Sequence, residues 1–148
     1  MSNKLKILFG TMTGNAEECA NTLSEKCQAA GIETEVQDLA DYPAESLQNE
    51  ERVAIVISTW GEGDPPDDAE EFCYGVYDQK AGDLPNLEFA VCALGDTSYD
   101  EFCGCGKKLE EALLKSGAKK IFDRTDLDVD FEDGFNEWAD NFVVSISA

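Results

Sequence analysis

The chain has 148 residues, 43% of them hydrophobic, and its 32 acidic and 11 basic side chains give a formal net charge of −21. This length and hydrophobic content predict one globular domain over residues 1–148 with an ordinary buried core. The negative field repels nucleic acid and anionic membranes and attracts basic proteins, so we expect no nucleic-acid partner.

Residues 1–20 hold no apolar stretch of signal-peptide length, and no run is long enough to span a bilayer. The sequence therefore predicts a cytoplasmic monomer without membrane insertion. Six cysteines are present, but the chain has no histidine and no Cys-x-x-Cys pair. We expect buried free thiols and no metal site.

Apolar runs of strand length alternate along the chain with segments of helical spacing. The predicted strands cover residues 4–9, 32–38, 53–57, 89–94 and 119–122. The predicted helices cover residues 15–30, 68–77, 104–116 and 134–146. Runs 53–57 and 89–94 are continuously apolar, as in parallel strands that are buried on both faces. The alternation predicts an α/β fold, a doubly wound five-stranded parallel sheet with helices on both faces.

The first strand is followed by a turn rich in glycine and hydroxyl groups, GTMTGN at residues 10–15, which leads into the first helix. Thr11, Thr13 and Asn15 add side-chain donors to the N–H groups of the first helical turn, and Gly14 lets the backbone curl closely. No Lys or Arg lies between residues 7 and 25, which excludes a Walker-type loop. These residues are consistent with either a phosphate-binding site or an ordinary strand–helix turn with a polar cap.

Two further loops leave the carboxyl ends of predicted strands, at residues 58–67 and 95–103. In a doubly wound sheet the ligand lies beyond these ends, where the strand order reverses. Trp60 is either an anchor that folds back onto the protein or a flat surface for a planar ring. Tyr99 is the candidate for the opposite side of that ring, whereas Phe102 also fits the core.

Three motifs resemble the FMN loops of flavodoxins, in order and with the family spacing. They are TxTGN at 11–15, STWGEG at 58–63, and GDTSY at 95–99 followed by Phe102 and Cys103. The resemblance covers essentially the whole chain and is to the short-chain bacterial type. It implies the strand order 2-1-3-4-5 and FMN as the cofactor. It also implies a low-potential one-electron carrier that shuttles electrons between redox enzymes through the semiquinone/hydroquinone couple, an electron-transfer protein rather than an enzyme.

The resemblance also implies which residues hold FMN. The phosphate would be held by Thr11, Met12, Thr13, Gly14, Asn15 and Ala16. Many relatives carry a hydroxyl residue where Ala16 stands, so a backbone contact is expected there. Ser58 and Thr59 would lie along the ribityl chain, and Trp60 and Tyr99 would flank the isoalloxazine. The ring edges would be met through main-chain groups by Gly61, Gly63, Leu94, Gly95, Asp96 and Cys103. Phe102 is also included among the cofactor-binding residues.

Gly61 has no Cβ, so its peptide can flip and turn a carbonyl toward the flavin N5–H, which would stabilise the one-electron reduced state. Acids around the loops predict docking of basic-surfaced redox proteins. They are Glu62, Asp64, Asp67, Asp100 and Glu101. A further acidic run at 126–133 favours a plain solvated surface.

Other functions with the same topology fit less well. A phosphoacceptor receiver domain needs acids at the ends of strands one and three, where this chain has Gly10 and Ser58. A small phosphatase needs Cys-x5-Arg, which is absent. The segment TWGEGDPPD at 59–67 resembles the FMN modules of diflavin reductases, but a chain that begins with Met1 and ends soon after its last helix favours a free-standing carrier. A protein-interaction module without FMN is the alternative from a different functional class. The colour of the purified protein distinguishes the two, because a module that does not bind FMN would be colourless.

Overall fold

A computed structural model describes residues 4–10, 14–59, 64–95, 103–128 and 130–147. The strands are β1 (Lys4–Gly10), β2 (Glu33–Asp38), β3 (Arg52–Ser58), β4 (Glu88–Leu94), β5 (Lys119–Lys120) and β6 (Thr125–Leu127). The helices are α1 (Asn15–Ala29), α2 (Glu70–Tyr77), α3 (Gly104–Lys115) and α4 (Glu132–Ser147). Short 3₁₀ turns cover Leu39–Asp41, Ala44–Asn49 and Asp67–Ala69. Among the described helices, none has the length and apolar character needed to cross a bilayer.

The strands form one parallel sheet in the order β2-β1-β3-β4-β5, which confirms the predicted doubly wound α/β architecture. α1 shows how local sequence produces this pattern. Its buried residues Cys19, Leu23 and Cys27 recur at a spacing of four and face the sheet. Gly31, with φ of +83°, ends the helix, and the N–H of Ile32 donates to the carbonyl of Cys27 at 2.9 Å.

The central strands are buried on both faces because their alternating side chains enter two separate cores. Val53, Ile55 and Ile57 belong to the core formed with α2 and α3. Ala54 and Val56 belong to the core formed with α1 and α4. Helices therefore cover both faces, as the continuous apolar runs predict.

The predicted fifth strand, residues 119–122, is wrong in extent. β5 has only two residues, and the chain rejoins the edge of β4 further along as β6, where Cys92 pairs with Thr125 and Leu94 with Leu127. Between the two, the indole N–H of Trp138 donates to the carbonyl of Asp123 at 2.9 Å. This bond ties the backbone to α4, and it interrupts the ladder.

Candidate cofactor site

Three adjacent strands end at the same edge of the sheet. The Cα of Gly10 is in register with that of Ile57, and the Cα of Ser58 with that of Leu94. The N–H of Thr59 donates to the carbonyl of Leu94 at 2.8 Å, so β3 and β4 stay paired one residue beyond the strand. The three sequence-predicted loops therefore leave one edge, on either side of the switch point between β1 and β3.

The N-terminus of α1 lies at the end of the loop that follows β1. Gly14 adopts φ of +89°, a left-handed conformation that favours glycine. A Cβ built on Gly14 would meet no heavy atom of the described residues within 4 Å, so within that part of the chain the requirement for glycine is conformational rather than steric. Asn15 begins the helix with an exposed side chain, whereas Ala16 is fully buried. Ala16 can therefore offer a ligand its backbone only, and the helix dipole favours an anion at this end.

β6 is hydrogen-bonded to both ends of the third loop, at Gly95 and at Cys103. The N–H of Gly95 donates to the carbonyl of Leu127 at 2.8 Å. Cys103 adopts φ of +54°, and its buried thiol donates to the carbonyls of Ala93 at 3.6 Å and Leu127 at 3.8 Å. Burial, together with the charge of Asp126, raises the pKa of the Cys103 thiol to about 12. The sulfur points inward and stays protonated, so Cys103 can face a ligand only through its main chain.

Two residues of α3 that the sequence reasoning missed hold the site together. The N–H of Cys105 donates to the hydroxyl of Thr59 at 3.3 Å, which links α3 to the end of β3. A Cβ built on Gly106 would lie 2.5 Å from the Cβ of Ala93, so only glycine allows α3 to pack this closely on β4. The two glycines at 104 and 106, in the first turn of a helix, were the available signal.

Arg124 is a cation near Cys103, at the end of the third loop, where the sequence indicated only solvated acids. The guanidinium of Arg124 donates to Glu110 at 2.8 Å and to Asp126 at 2.8 Å, and it also interacts with the Cys103 thiol. The pKa of Arg124 is raised, chiefly by its hydrogen bond to Asp126. Asp126 is therefore an ion-pair partner that joins β6 to α3 through Arg124, and the plain-surface interpretation does not hold for it.

Nine of the predicted FMN-binding residues lie outside the described ranges, and their placement stays a prediction. They are Thr11, Met12, Thr13, Trp60, Gly61, Gly63, Asp96, Tyr99 and Phe102. The other eight are described, and all lie at the ends of β1, β3 and β4 or at the starts of α1 and α3. They are Gly14, Asn15, Ala16, Ser58, Thr59, Leu94, Gly95 and Cys103.

A second cleft, of about 420 Å³, lies at the opposite edge of the sheet, beside the amino ends of β1, β2 and β3. Lys6, which is buried beside this cleft, donates hydrogen bonds to Glu35 and Gln37 at 2.8 Å each. Arg52 lies 3.7 Å from Glu88. Since carboxylates already balance these bases, we assign no ligand to this cleft.

An open parallel sheet, in which β1, β3 and β4 end at one edge beside the switch point and a helix begins at the same edge, defines a nucleotide-binding domain of the doubly wound class. The sequence profile of the flavodoxin family matches residues 7–138. The chain therefore belongs to the flavodoxin family, and its cofactor is FMN, as predicted.

Known relatives fall into two groups. The sulfite reductase [NADPH] flavoprotein alpha-component of Vibrio parahaemolyticus is 43% identical over 140 residues, which are 95% of this chain but 22% of that protein. This chain thus spans about a fifth of the length of that relative. A flavodoxin of Streptococcus pneumoniae superposes with a TM-score of 0.86 at 26% identity and 97% coverage of both chains. A cysteine-to-serine mutant of a Pseudomonas aeruginosa flavodoxin gives a TM-score of 0.80 at 28% identity, covering 98% of this chain and 99% of that one.

The described residues fit FMN. A phosphate dianion suits the first turn of α1, where a left-handed Gly14 leaves room and amide donors replace a fixed cation. The ends of β3 and β4, tied by the Thr59–Leu94 bond, present main-chain groups at the same edge. When bound, FMN supplies the capacity to take up and release electrons; the chain's own residues bind it and set its surroundings.

Proposed function

We propose that this chain is the electron-carrying FMN domain of a reductase system of the sulfite reductase flavoprotein type. It would pass electrons one at a time at low potential, using the couple between the one-electron and the two-electron reduced states of the flavin. The observation that carries this proposal is the 43% identity over 95% of the chain to a flavoprotein that contains such a segment. The identity to the free flavodoxins, 26% and 28%, is lower.

Within this proposal the three loops have separate tasks. The phosphate would be held at the start of α1 by residues 11–16. The ribityl chain would pass Ser58 and Thr59, and the ring would lie between Trp60 and Tyr99. Ser58 is half-buried at the end of β3, and the hydroxyl of Thr59 is fixed by the N–H of Cys105, which supports a fixed position for these two groups.

The electrostatic surroundings support a low potential. Full reduction adds negative charge to the flavin, and a chain of net charge −21 raises the energy of that state. In the described part of the chain two bases act on Cys103 at the end of the third loop, the exposed Lys107 and Arg124, and two carboxylates already neutralise Arg124. The protein therefore offers little positive charge to stabilise the reduced flavin.

The electron-transfer partner is proposed to be a basic surface that docks beside α2. Asp64 and Asp67 precede this helix, Glu70 and Glu71 begin it, and all four are exposed. The other predicted docking residues, Glu62, Asp100 and Glu101, lie outside the described ranges. Burial raises the pKa of the Tyr74 phenol, and the charges of Asp64 and Glu70 raise it further. Exposed Lys107 and Lys108 lie within the neighbouring helix α3, so the acidic surface is confined to the side of α2. Surfaces of this kind speed the encounter of partners and lose that effect as salt screens them.

The experiment is a pair of reductions followed by visible absorption. NADPH alone should leave the FMN-loaded chain oxidised, because we propose that this domain binds FMN and receives its electrons from a separate NADPH-oxidising domain or protein. NADPH with a catalytic amount of an NADPH-dependent flavoprotein reductase should reduce it in two resolved one-electron steps, and rising ionic strength should slow the reaction. Direct reduction by NADPH, or a single two-electron step, would contradict the proposal.

A free-standing carrier is the second candidate, because the S. pneumoniae flavodoxin matches this chain over 97% of both lengths. If the chain is a free-standing carrier, we expect a single domain over residues 1–148 and a monomeric state. The six cysteines are free and buried, which supports a reducing compartment such as the cytoplasm for either candidate. Co-purification from the native host separates the two: a stable complex with a reductase favours the module, and a lone monomer favours the carrier.

A further inference from the structure

Two buried thiols from different helices touch each other next to the cofactor site. The sulfur atoms of Cys73 in α2 and Cys105 in α3 are 3.8 Å apart, and both residues are 0% exposed. The phenol of Tyr77 donates to the Cys105 sulfur at 3.5 Å and to the Cys105 carbonyl at 3.4 Å. No other pair of thiols within the described ranges is in hydrogen-bonding contact. The FMN site uses neither sulfur.

We propose that Cys73 and Cys105 are a modification site, a dithiol that hydrogen peroxide oxidises reversibly to a disulfide joining α2 to α3, and that this cross-link weakens FMN binding. The two sulfurs are in van der Waals contact with no atom between them. A disulfide needs them at about 2.0 Å, so together they must close by about 1.8 Å, mainly through rotation about the Cα–Cβ bonds. The proposal does not depend on which electron donor the chain serves.

Cys105 is the sulfur that reacts first. The Cys73 thiol and the Tyr77 phenol are both hydrogen-bonded to it, and these hydrogen bonds lower the pKa of Cys105. Cys105 is also the second residue of α3, where the helix dipole stabilises a thiolate. The pKa of Cys73 is raised by its hydrogen bond to Cys105 and by burial, so Cys73 stays protonated.

Tyr77 controls access to the pair. Its ring is half-buried, and it lines a surface groove of about 750 Å³ together with Lys108 and Ala112. Rotation of this one side chain opens the Cys105 sulfur to a small neutral oxidant. The buried thiols of Cys19 and Cys27 have pKa values raised to about 12 and about 11, so they hold little thiolate near neutral pH.

The reaction balances with peroxide as the two-electron oxidant. The Cys105 thiolate attacks one peroxide oxygen, the O–O bond breaks, and the leaving hydroxide takes a proton to become water. The product is a sulfenic acid on Cys105. The Cys73 sulfur then attacks the Cys105 sulfur, the S–O bond breaks, and a second water leaves with the Cys73 proton. Two thiols and one peroxide thus give one disulfide and two waters.

The cross-link reaches the cofactor through the backbone of Cys105. Its N–H is bonded to the Thr59 hydroxyl at 3.3 Å, which is already long, so a shift of a few tenths of an ångström toward α2 breaks this bond. Thr59 would then lose its fixed position at the end of β3. We expect FMN affinity to fall about fivefold, which corresponds to about 1 kcal/mol.

The test uses the FMN-loaded chain treated with hydrogen peroxide, then alkylated and digested for mass spectrometry. We expect a Cys73–Cys105 linked peptide that dithiothreitol abolishes and that is absent from the Cys73→Ser and Cys105→Ser variants. Cys27→Ser is the matched control and should form the linked peptide as the wild type does. FMN titration of the oxidised and re-reduced proteins should show the fivefold difference, and both variants should show none.

Three results would overturn the proposal. The first is a thiol count that peroxide leaves unchanged. The second is oxidation of Cys105 to sulfinic acid with Cys73 still reduced, since that would show that the sulfurs do not meet. The third is a linked peptide with unchanged FMN affinity, which would remove the connection to the cofactor site. Circular dichroism of each variant distinguishes these outcomes from a failure to fold.

Discussion

A single methyl group added at Gly106 should push α3 away from the sheet at the cofactor edge. The added Cβ would lie 2.5 Å from the Cβ of Ala93 and 3.6 Å from its Cα. Ala93 is fully buried on the central strand β4, so it cannot swing aside as a flexible side chain would. Helix and strand must separate instead by about half an ångström.

Two effects of opposite sign determine how much Gly106→Ala changes the free energy of unfolding. Overpacking of a well-packed core costs about 1–3 kcal/mol, and the severity of this contact places it near the upper end. Alanine in a helix gains up to about 1 kcal/mol over glycine. We therefore expect Gly106→Ala to lower the free energy of unfolding by about 2 kcal/mol, or about 6 °C in Tm for a chain of this length. FMN affinity should also fall, because α3 begins where the third loop ends.

Urea unfolding of the apoprotein and FMN titration by flavin fluorescence measure the two effects. Lys107→Ala is the control, since that exposed neighbour gains the same helix-forming residue without a clash. Ala93→Gly should rescue Gly106→Ala in part, with an interaction energy of at least about 1 kcal/mol in the double-mutant cycle. A Gly106→Ala protein as stable as the wild type, or additive effects in the cycle, would refute the close-packing argument.

The ion pairs, the turn before α1 and the buried thiols each give a further prediction. Arg124→Gln should lower the free energy of unfolding by about 1–2 kcal/mol in urea, because it removes the 2.8 Å ion pairs of Asp126 and Glu110 and leaves Glu110 with the longer 3.9 Å pair to Lys120. We expect 1 M salt to shrink the difference between variant and wild type, and an equal loss at all salt concentrations would contradict the ion-pair origin. Gly14→Ala should cost about 1 kcal/mol through its φ of +89° and weaken FMN binding in titration, and an unchanged Kd would show that this turn does not shape the phosphate seat. The free energy of unfolding should fall above pH 9, because the Cys27 thiol has a pKa of about 11 in the folded chain and keeps its proton, whereas the unfolded chain releases it. The contribution of Cys27 to stability is complete below the unfolded pKa of 9.0 and is lost as the pH rises toward 11. Cys27→Ala should therefore flatten the slope of the urea midpoint against pH.

The sequence predicted the strand order and the position of the site because both depend on local signals. A continuous apolar run such as residues 53–57 is typical of a parallel strand buried on both faces, and a glycine such as Gly14 marks a backbone turn that other residues resist. The carboxyl ends of adjacent parallel strands then lie together by topology alone. The loops at 11–13, 60–63 and 96–102 carry most of the family motifs, and their contacts with FMN remain predictions.

What the sequence did not predict depends on contacts between residues distant along the chain. β6 has three residues, Thr125–Leu127, and no apolar run, so propensity gives no reason to separate it from the acidic stretch around it. It forms because β4 offers an unpaired edge and because Arg124 ties it to α3.

Although β6 has only three residues, it positions both ends of the third loop. The carbonyl of Leu127 accepts both the N–H of Gly95 and the thiol of Cys103, one at each end of the third loop. A single peptide group of β6 therefore sets the distance between the end of β4 and the start of α3. The Arg124 ion pairs hold β6 at that place, so charges that never touch the flavin decide where its third loop begins and ends.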